Sequence, residues 1–341
     1  MENKDNTNFW RQTAISAEFV RINAELQKGA RIISINGTTA NSAKSLILWM
    51  LQRKTKKTFV VVSDSNGDLE TWNGDICAVA DFDSQSANRT DNLQVWSVPS
   101  SDNDIYAGVS PHPETMERRA LTFWKLTREK PDFLLLTARS LVARTVTPDE
   151  LKNLGAFLKR DEDFAPEFLI EKLAACGYVK SEPVNGLGQF SSRGGIVDVW
   201  SPDCKSPVRI EFFGDTVDSI REFDAETQLS TGQLSEISFA PMREFAASPQ
   251  DFRDWAVLAN EKFEDERFAR AIQDRAEFAE NGESFSGWEY LLPLLNTRKG
   301  SVFDYLPKDC VLIFDEPATV ENNLTTFYQT LTRRFIEIDK A

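Results

Sequence analysis

Apolar positions along the first 150 residues repeat in a strand–loop–helix rhythm. Residues 30–36 (ARIISIN) read as a short apolar strand followed by Gly37, residues 42–51 (SAKSLILWML) as a helix, and residues 57–63 (KTFVVVS) as a buried β-branched strand. Residues 93–98 and 132–137 (DFLLLT) add two strands. Residues 113–128 predict an amphipathic helix with Pro113 near its start, and residues 139–144 a short helix. This alternation predicts a parallel α/β sheet.

Past Thr147-Pro148 the rhythm changes. A helix over 169–176 is stopped by Gly177, and strands follow over 189–199, 208–213 and 217–223, the last two joined by Gly214-Asp215 as a two-residue hairpin turn. The pattern predicts a small α+β unit inserted in the chain. From Asp224 onward helix and strand mix again: 249–278 carries charge and aromatics at helical spacing, 310–314 (CVLIF) reads as a buried strand, and 319–338 as a helix without a clear stop signal. The fold class expected is α/β: a discontinuous P-loop-like parallel-sheet domain with a degenerate nucleotide site, plus the inserted α+β domain.

Composition narrows the function classes. The chain has 341 residues, 41% hydrophobic and 27% charged, an ordinary globular balance. Its net charge of −14 repels a free duplex and favours a basic protein surface as partner over nucleic acid. Cys77, Cys176, Cys204 and Cys310 are far apart and form no C-x-x-C pair, which predicts buried free thiols. The single histidine, His112, argues against a His-rich metal site or a Ser-His-Asp triad. MENKDNTNFW has neither a basic nor an apolar leader region, and no apolar run reaches about 18 residues, so a cytoplasmic chain with no membrane segment is expected.

A nucleotide site is suggested and then weakened by spacing. Residues 36–45 (NGTTANSAKS) end in Lys44-Ser45, as a phosphate-binding loop does, but the two glycine positions counted back from them hold Thr38 and Ala43, with Gly37 one place too early. Side chains there crowd the phosphate nest and resist the backbone conformations that glycine supplies. Residues 311–316 (VLIFDE) supply an apolar strand ending in two carboxylates. The expectation for Gly37, Lys44 and Ser45 is a degenerate loop that binds no nucleotide, with no cofactor and no catalytic residue.

Alternation along 208–213 (VRIEFF) sets Val208, Ile210 and Phe212 on one face and Arg209, Glu211 and Phe213 on the other. The second face fits either a solvated surface with a cross-strand ion pair, worth about 0–1 kcal/mol, or an interface in which a ring sits beside two charges. Arg193, before Gly194-Gly195, can join it.

These residues carry a family resemblance. GQFSSRGGIVDVWSP and SPVRIEFFGDTVDSIREFDAETQLS resemble the domain 2 signature shared by the excision-repair protein UvrB and the bacterial transcription-repair coupling factor. EKLAACGYVKSEPVNGLGQF, SPHPETMERRA and FDYLPKDCVLIFDEP are similar to flanking parts of that family, so the likeness runs from about residue 25 to about residue 325. The degenerate loop is similar to the coupling factor rather than to UvrB. The resemblance implies domain 1a over 1–144, a UvrA-binding domain 2 over 145–226 and domain 1b over 227–341, which completes the first domain. It implies UvrA contacts at Arg193, Arg209 and Phe213, with Glu211 orienting Arg209 or meeting a basic partner group. It further implies an adaptor in transcription-coupled excision repair. A carboxyl-terminal domain of a longer protein masks the face there, and RNA polymerase and DNA are reached only through further domains. The alternative is a UvrB-like ATP-dependent damage-recognition protein. Trp200-Ser201-Pro202 departs from the family's usual Phe-Pro, a conservative change.

Overall fold

The computed structural model describes residues 16–87, 93–262, 266–295 and 298–340. The amino-terminal segment read above for a leader lies outside the described residues. Twelve strands are assigned among them: β1 (Phe59–Ser63), β2 (Val95–Val98), β3 (Phe133–Thr137), β4 (Ala156–Lys159), β5 (Val179–Lys180), β6 (Gln189–Arg193), β7 (Ile196–Val199), β8 (Val208–Phe213), β9 (Thr216–Phe223), β10 (Ser230–Leu234), β11 (Glu236–Phe239) and β12 (Val311–Phe314). The chain divides into two compact units, one of residues 1–100, 129–141 and 306–329, the other of residues 101–128, 142–305 and 330–341. Of the carboxyl-terminal third, therefore, only 306–329 joins the first unit.

The first unit holds a four-stranded sheet in the order β12-β1-β3-β2, every pair parallel. FVVVS and FLLLT are buried along their whole length, as expected of central parallel strands covered on both faces. Phe59, Val61, Phe133 and Leu135 pack against Leu48, Trp49 and Leu51 of helix Asn41–Thr55 and Leu69, Trp72 and Ile76 of helix Asn66–Ala87. Two sequence expectations change here. Residues 30–36 form no strand, and Ile32 is 87% exposed. Both edges of β1 are already taken, by β12 and β3, so strand propensity at 30–36 finds no ladder at the centre of the sheet. Strand β12 is not buried but lies at the edge, with Leu312 and Phe314 exposed.

The second unit holds a six-stranded sheet in the order β10-β9-β8-β7-β6-β5, antiparallel except for β5 with β6, and the antiparallel pair β4–β11. The apparent single strand over 189–199 is two strands, turned by Gly194-Gly195. Val197, Val199, Val208, Ile210, Val217 and Ile220 face a core shared with Leu169 and Leu173 of helix Pro166–Ala175. The helical spacing over 249–278 appears as two helices, Pro249–Lys262 and Glu266–Glu280. Phe252, Trp255, Ala259 and Ala279 from these helices pack with Phe285 and Trp288.

Candidate functional site

The face opposite the core of the second sheet gathers the candidate partner-binding residues. Two hairpins build it. In the first, Gly194 has φ +57°, and a Cβ on Gly195 would lie 2.8 Å from the Phe212 carbonyl oxygen. That close approach lets the Phe212 N–H donate to the Gly195 carbonyl at 2.7 Å, so the turn calls for the glycine pair that follows Arg193. In the second, Gly214 takes φ +60° in the two-residue turn between Phe213 and Thr216. A bulge inserts Asp218 into β9 beyond that turn, because Glu211 faces Ser219 while Phe212 faces Val217.

Register lines up side chains that are distant in sequence. Ser191, Asp198, Arg209, Arg221 and Gln233 stand opposite one another in turn across β6 to β10. Arg209 and Arg221 are direct cross-strand neighbours, an arrangement that repels unless each charge is balanced. Each is. Arg209 donates from Nε and Nη2 to the two oxygens of Asp198 at 2.7 and 2.8 Å, and Arg221 pairs with Glu211, which also accepts from Ser219 Oγ at 2.9 Å. The Arg209 guanidinium lies over the Phe223 ring, 4.7 Å from its centroid, and donates from Nη2 to Gln228 Oε1 at 3.4 Å. Its hydrogen bonds to Asp198 raise its pKa above the usual guanidinium value; partial burial opposes this, and the charges of Asp198 and Glu211 add to it.

The four predicted residues are therefore on one face but in different states. Phe213 is 84% exposed at the hairpin tip. Arg193 is exposed and meets exposed Glu182 at 3.3 Å. Arg209 is only 18% exposed and already paired. Glu211 does not orient Arg209 as expected: it serves Arg221, and Asp198 orients Arg209. Sequence reasoning missed Asp198 because its role depends on which residue of β8 lies across from it. The available signal was a carboxylate alternating with Val197 and Val199 in an otherwise apolar strand.

The tip that carries Phe213 is braced from one side. Thr216 Oγ1 donates to Asp163 Oδ1 at 2.7 Å, the Phe164 N–H donates to the Asp215 carbonyl at 2.7 Å, and the Asp161 N–H donates to the Val217 carbonyl at 2.8 Å.

In the first unit, Gly37 has φ +85° and leads toward helix Asn41–Thr55, whose N-cap Ala40 supplies no side-chain hydrogen bond. Lys44 Nζ donates to Asp315 Oδ1 at 2.6 Å and to Glu316 Oε1 at 3.0 Å, and Trp72 Nε1 donates to Asp315 Oδ2 at 3.1 Å. Partial burial works against the Lys44 ammonium, but the hydrogen bonds and charges of Asp315 and Glu316 outweigh it and raise its pKa. Ser45 is fully buried, and among the described residues its Oγ has no partner.

Of the cysteines, Cys176 is buried as expected, while Cys77, Cys204 and Cys310 are half-buried; all four are free. Among the described residues, no group of three or more His, Cys, Asp or Glu side chains is placed to hold a metal, and no helix is long and apolar enough to cross a membrane.

Comparison with known proteins adds to this geometry. Residues 157–245 match the family model of the UvrB interaction domain, a stretch that includes all of β6 to β10. The chain is 27% identical over 278 residues to the transcription-repair-coupling factor of Haemophilus influenzae, covering 79% of this chain and 24% of that protein. It is 26% identical over 310 residues to the Staphylococcus haemolyticus transcription-repair-coupling factor, covering 87% and 26%, and 30% identical over 248 residues to that of Myxococcus xanthus, covering 70% and 21%. The chain thus spans about a quarter of the length of the curated relatives it matches.

Proposed function

In a chain that carries a UvrB interaction domain and is related to the transcription-repair-coupling factors, we propose that the outward face around Arg193, Arg209 and Phe213 binds UvrA. On this reading the chain is an adaptor module of transcription-coupled excision repair, and it brings UvrA to a stalled RNA polymerase. Contacts to the polymerase and to DNA, and any domain that masks this face, belong to parts of the longer relatives that this chain does not match. The observation that carries the reading is Phe213, a large apolar side chain held 84% exposed on a braced turn at the end of the strand that carries Arg209. Such a ring is a natural anchor for a partner's apolar pocket.

Titration of the chain with purified UvrA, followed by calorimetry, tests it. Wild type binds, and Phe213→Ala weakens binding by about 2–4 kcal/mol with no change in thermal unfolding, since the ring contributes little to the fold. If wild type shows no binding, or Phe213→Ala binds as tightly, the proposal fails.

We read the loop over 37–45 as closed to nucleotide, because the Lys44 ammonium that would reach a phosphate is engaged by Asp315 and Glu316. The UvrB-like, ATP-dependent alternative requires ATP affinity that depends on Lys44.

A further inference from the structure

The carboxylate of Asp198 lies 2% exposed between Val197 and Val199, both fully buried. Burying an ion pair is a poor way to gain stability. Desolvation offsets most of the attraction, and an apolar pair of similar volume often serves as well or better. The pair Asp198–Arg209 therefore calls for a reason beyond the fold, and the geometry supplies one.

A guanidinium has five N–H donors. On Arg209, Nε–H and one Nη2–H are bound by Asp198, and the second Nη2–H reaches Gln228 Oε1 at 3.4 Å. Two parallel bonds to one carboxylate fix the guanidinium plane, and the Phe223 ring supports it from one side. Gln228 is itself held: it has φ +61°, and its Nε2 donates to the carbonyls of Ala225 and Val184 at 2.8 and 3.3 Å. Among the described residues, Nη1 donates to no protein group.

Resting on the reading that this face binds UvrA, we propose that Asp198 is a positioning residue for that contact. It holds Arg209 in one orientation and leaves Nη1 as the nitrogen offered to the partner. A bidentate bond from Arg209 to a partner carboxylate is disfavoured by this arrangement, because Asp198 fills the Nε/Nη2 edge and Gln228 takes the second Nη2–H that the Nη1/Nη2 edge would need. Asp198 has also neutralised the charge, so an incoming carboxylate would bring a second negative charge toward Asp198 without a new cation. The group that fits Nη1 is a neutral carbonyl oxygen, of the partner's backbone or of an amide side chain. Arg193, exposed and paired with exposed Glu182 at 3.3 Å, stays open to solvent and to a partner.

The experiment has two readouts on the full chain. The first needs no partner. Hydrogen exchange of the Arg209 Nε–H, followed by NMR, is slow in wild type and fast in Asp198→Asn. The second is UvrA titration at several salt concentrations. Asp198→Asn weakens binding about tenfold, and its salt dependence departs from that of wild type because Arg209 is no longer neutralised. A loss of fold alone would lower the binding-competent fraction without changing that slope. Adding Asp198→Asn to Arg209→Ala weakens binding no further than Arg209→Ala does alone. The double variant also regains the thermal stability that Asp198→Asn loses, which separates positioning from misfolding. Wild-type affinity and salt dependence in Asp198→Asn overturn the proposal, as does fast exchange of Arg209 Nε–H in wild type. If wild type does not bind UvrA at all, the function proposed above fails, and the exchange readout then decides the clamp: slow exchange sustains it and fast exchange overturns it.

Discussion

Lys44 and Asp315, 271 positions apart, meet at 2.6 Å where helix Asn41–Thr55 comes up to the end of β12. Glu316 takes a second bond from the same ammonium, and the Trp72 indole fixes the other oxygen of Asp315. One internal cation thus holds two carboxylates together at the end of an edge strand.

Lys44→Met leaves the largely buried Asp315 carboxylate without its cation and beside Glu316. It lowers unfolding stability by about 1–3 kcal/mol, measurable by urea denaturation. On the reading that the loop is closed to nucleotide, wild-type thermal unfolding does not shift with ATP and magnesium; a shift would overturn that reading, because a ligand that binds the folded state stabilises it. The raised pKa of Lys44 sets the sign with pH. The ion pair's contribution is complete below the lysine's ordinary value of 10.5 and is lost as pH rises through the folded value above it. Unfolding in urea at pH 8 and at pH 11, wild type against Lys44→Met, checks this: the difference between the two narrows at the higher pH.

Asp163 and Thr216 brace the turn that carries Phe213. Asp163→Ala removes a hydrogen bond at the surface, so the chain loses only about 0.5–1 kcal/mol of stability. Binding of UvrA weakens by a few-fold, since an unbraced tip must be ordered on association. A titration in which Asp163→Ala matches wild type would show that the brace does not serve the proposed contact.

Burial pushes the Cys176 thiol up to about 11 and the Cys204 thiol up to about 12. Only the thiolate is nucleophilic, so both react slowly with iodoacetamide at pH 8 in the folded chain and rapidly in urea. These raised values favour folding fully below the ordinary thiol value of 9.0. That advantage is lost as pH rises between it and the folded values, because the unfolded chain ionises first. Mass spectrometry of alkylated peptides, folded against unfolded, reads the outcome directly.

Much of the local structure was legible in the chain itself. FVVVS and FLLLT are continuous apolar runs, and a parallel sheet buries such runs on both faces. VRIEFF alternates, so its outward residues could be named before any pairing was known, and Phe213 is exposed as that alternation requires. Gly194 and Gly214 mark turns because the backbone takes positive φ there. Other features depended on neighbours supplied from elsewhere. The segment 30–36 has the composition of a strand, yet β1 already had a strand on each side. Asp198 became the partner of Arg209, and Glu211 that of Arg221, through strand register, which a shift of a single residue would have changed. Lys44 met Asp315 only because β12 came back beside β1. Periodicity sets which way a side chain points, since it follows from the geometry of one strand. Which group that side chain meets is decided by hydrogen bonding between strands far apart in sequence, and only the folded molecule contains that information.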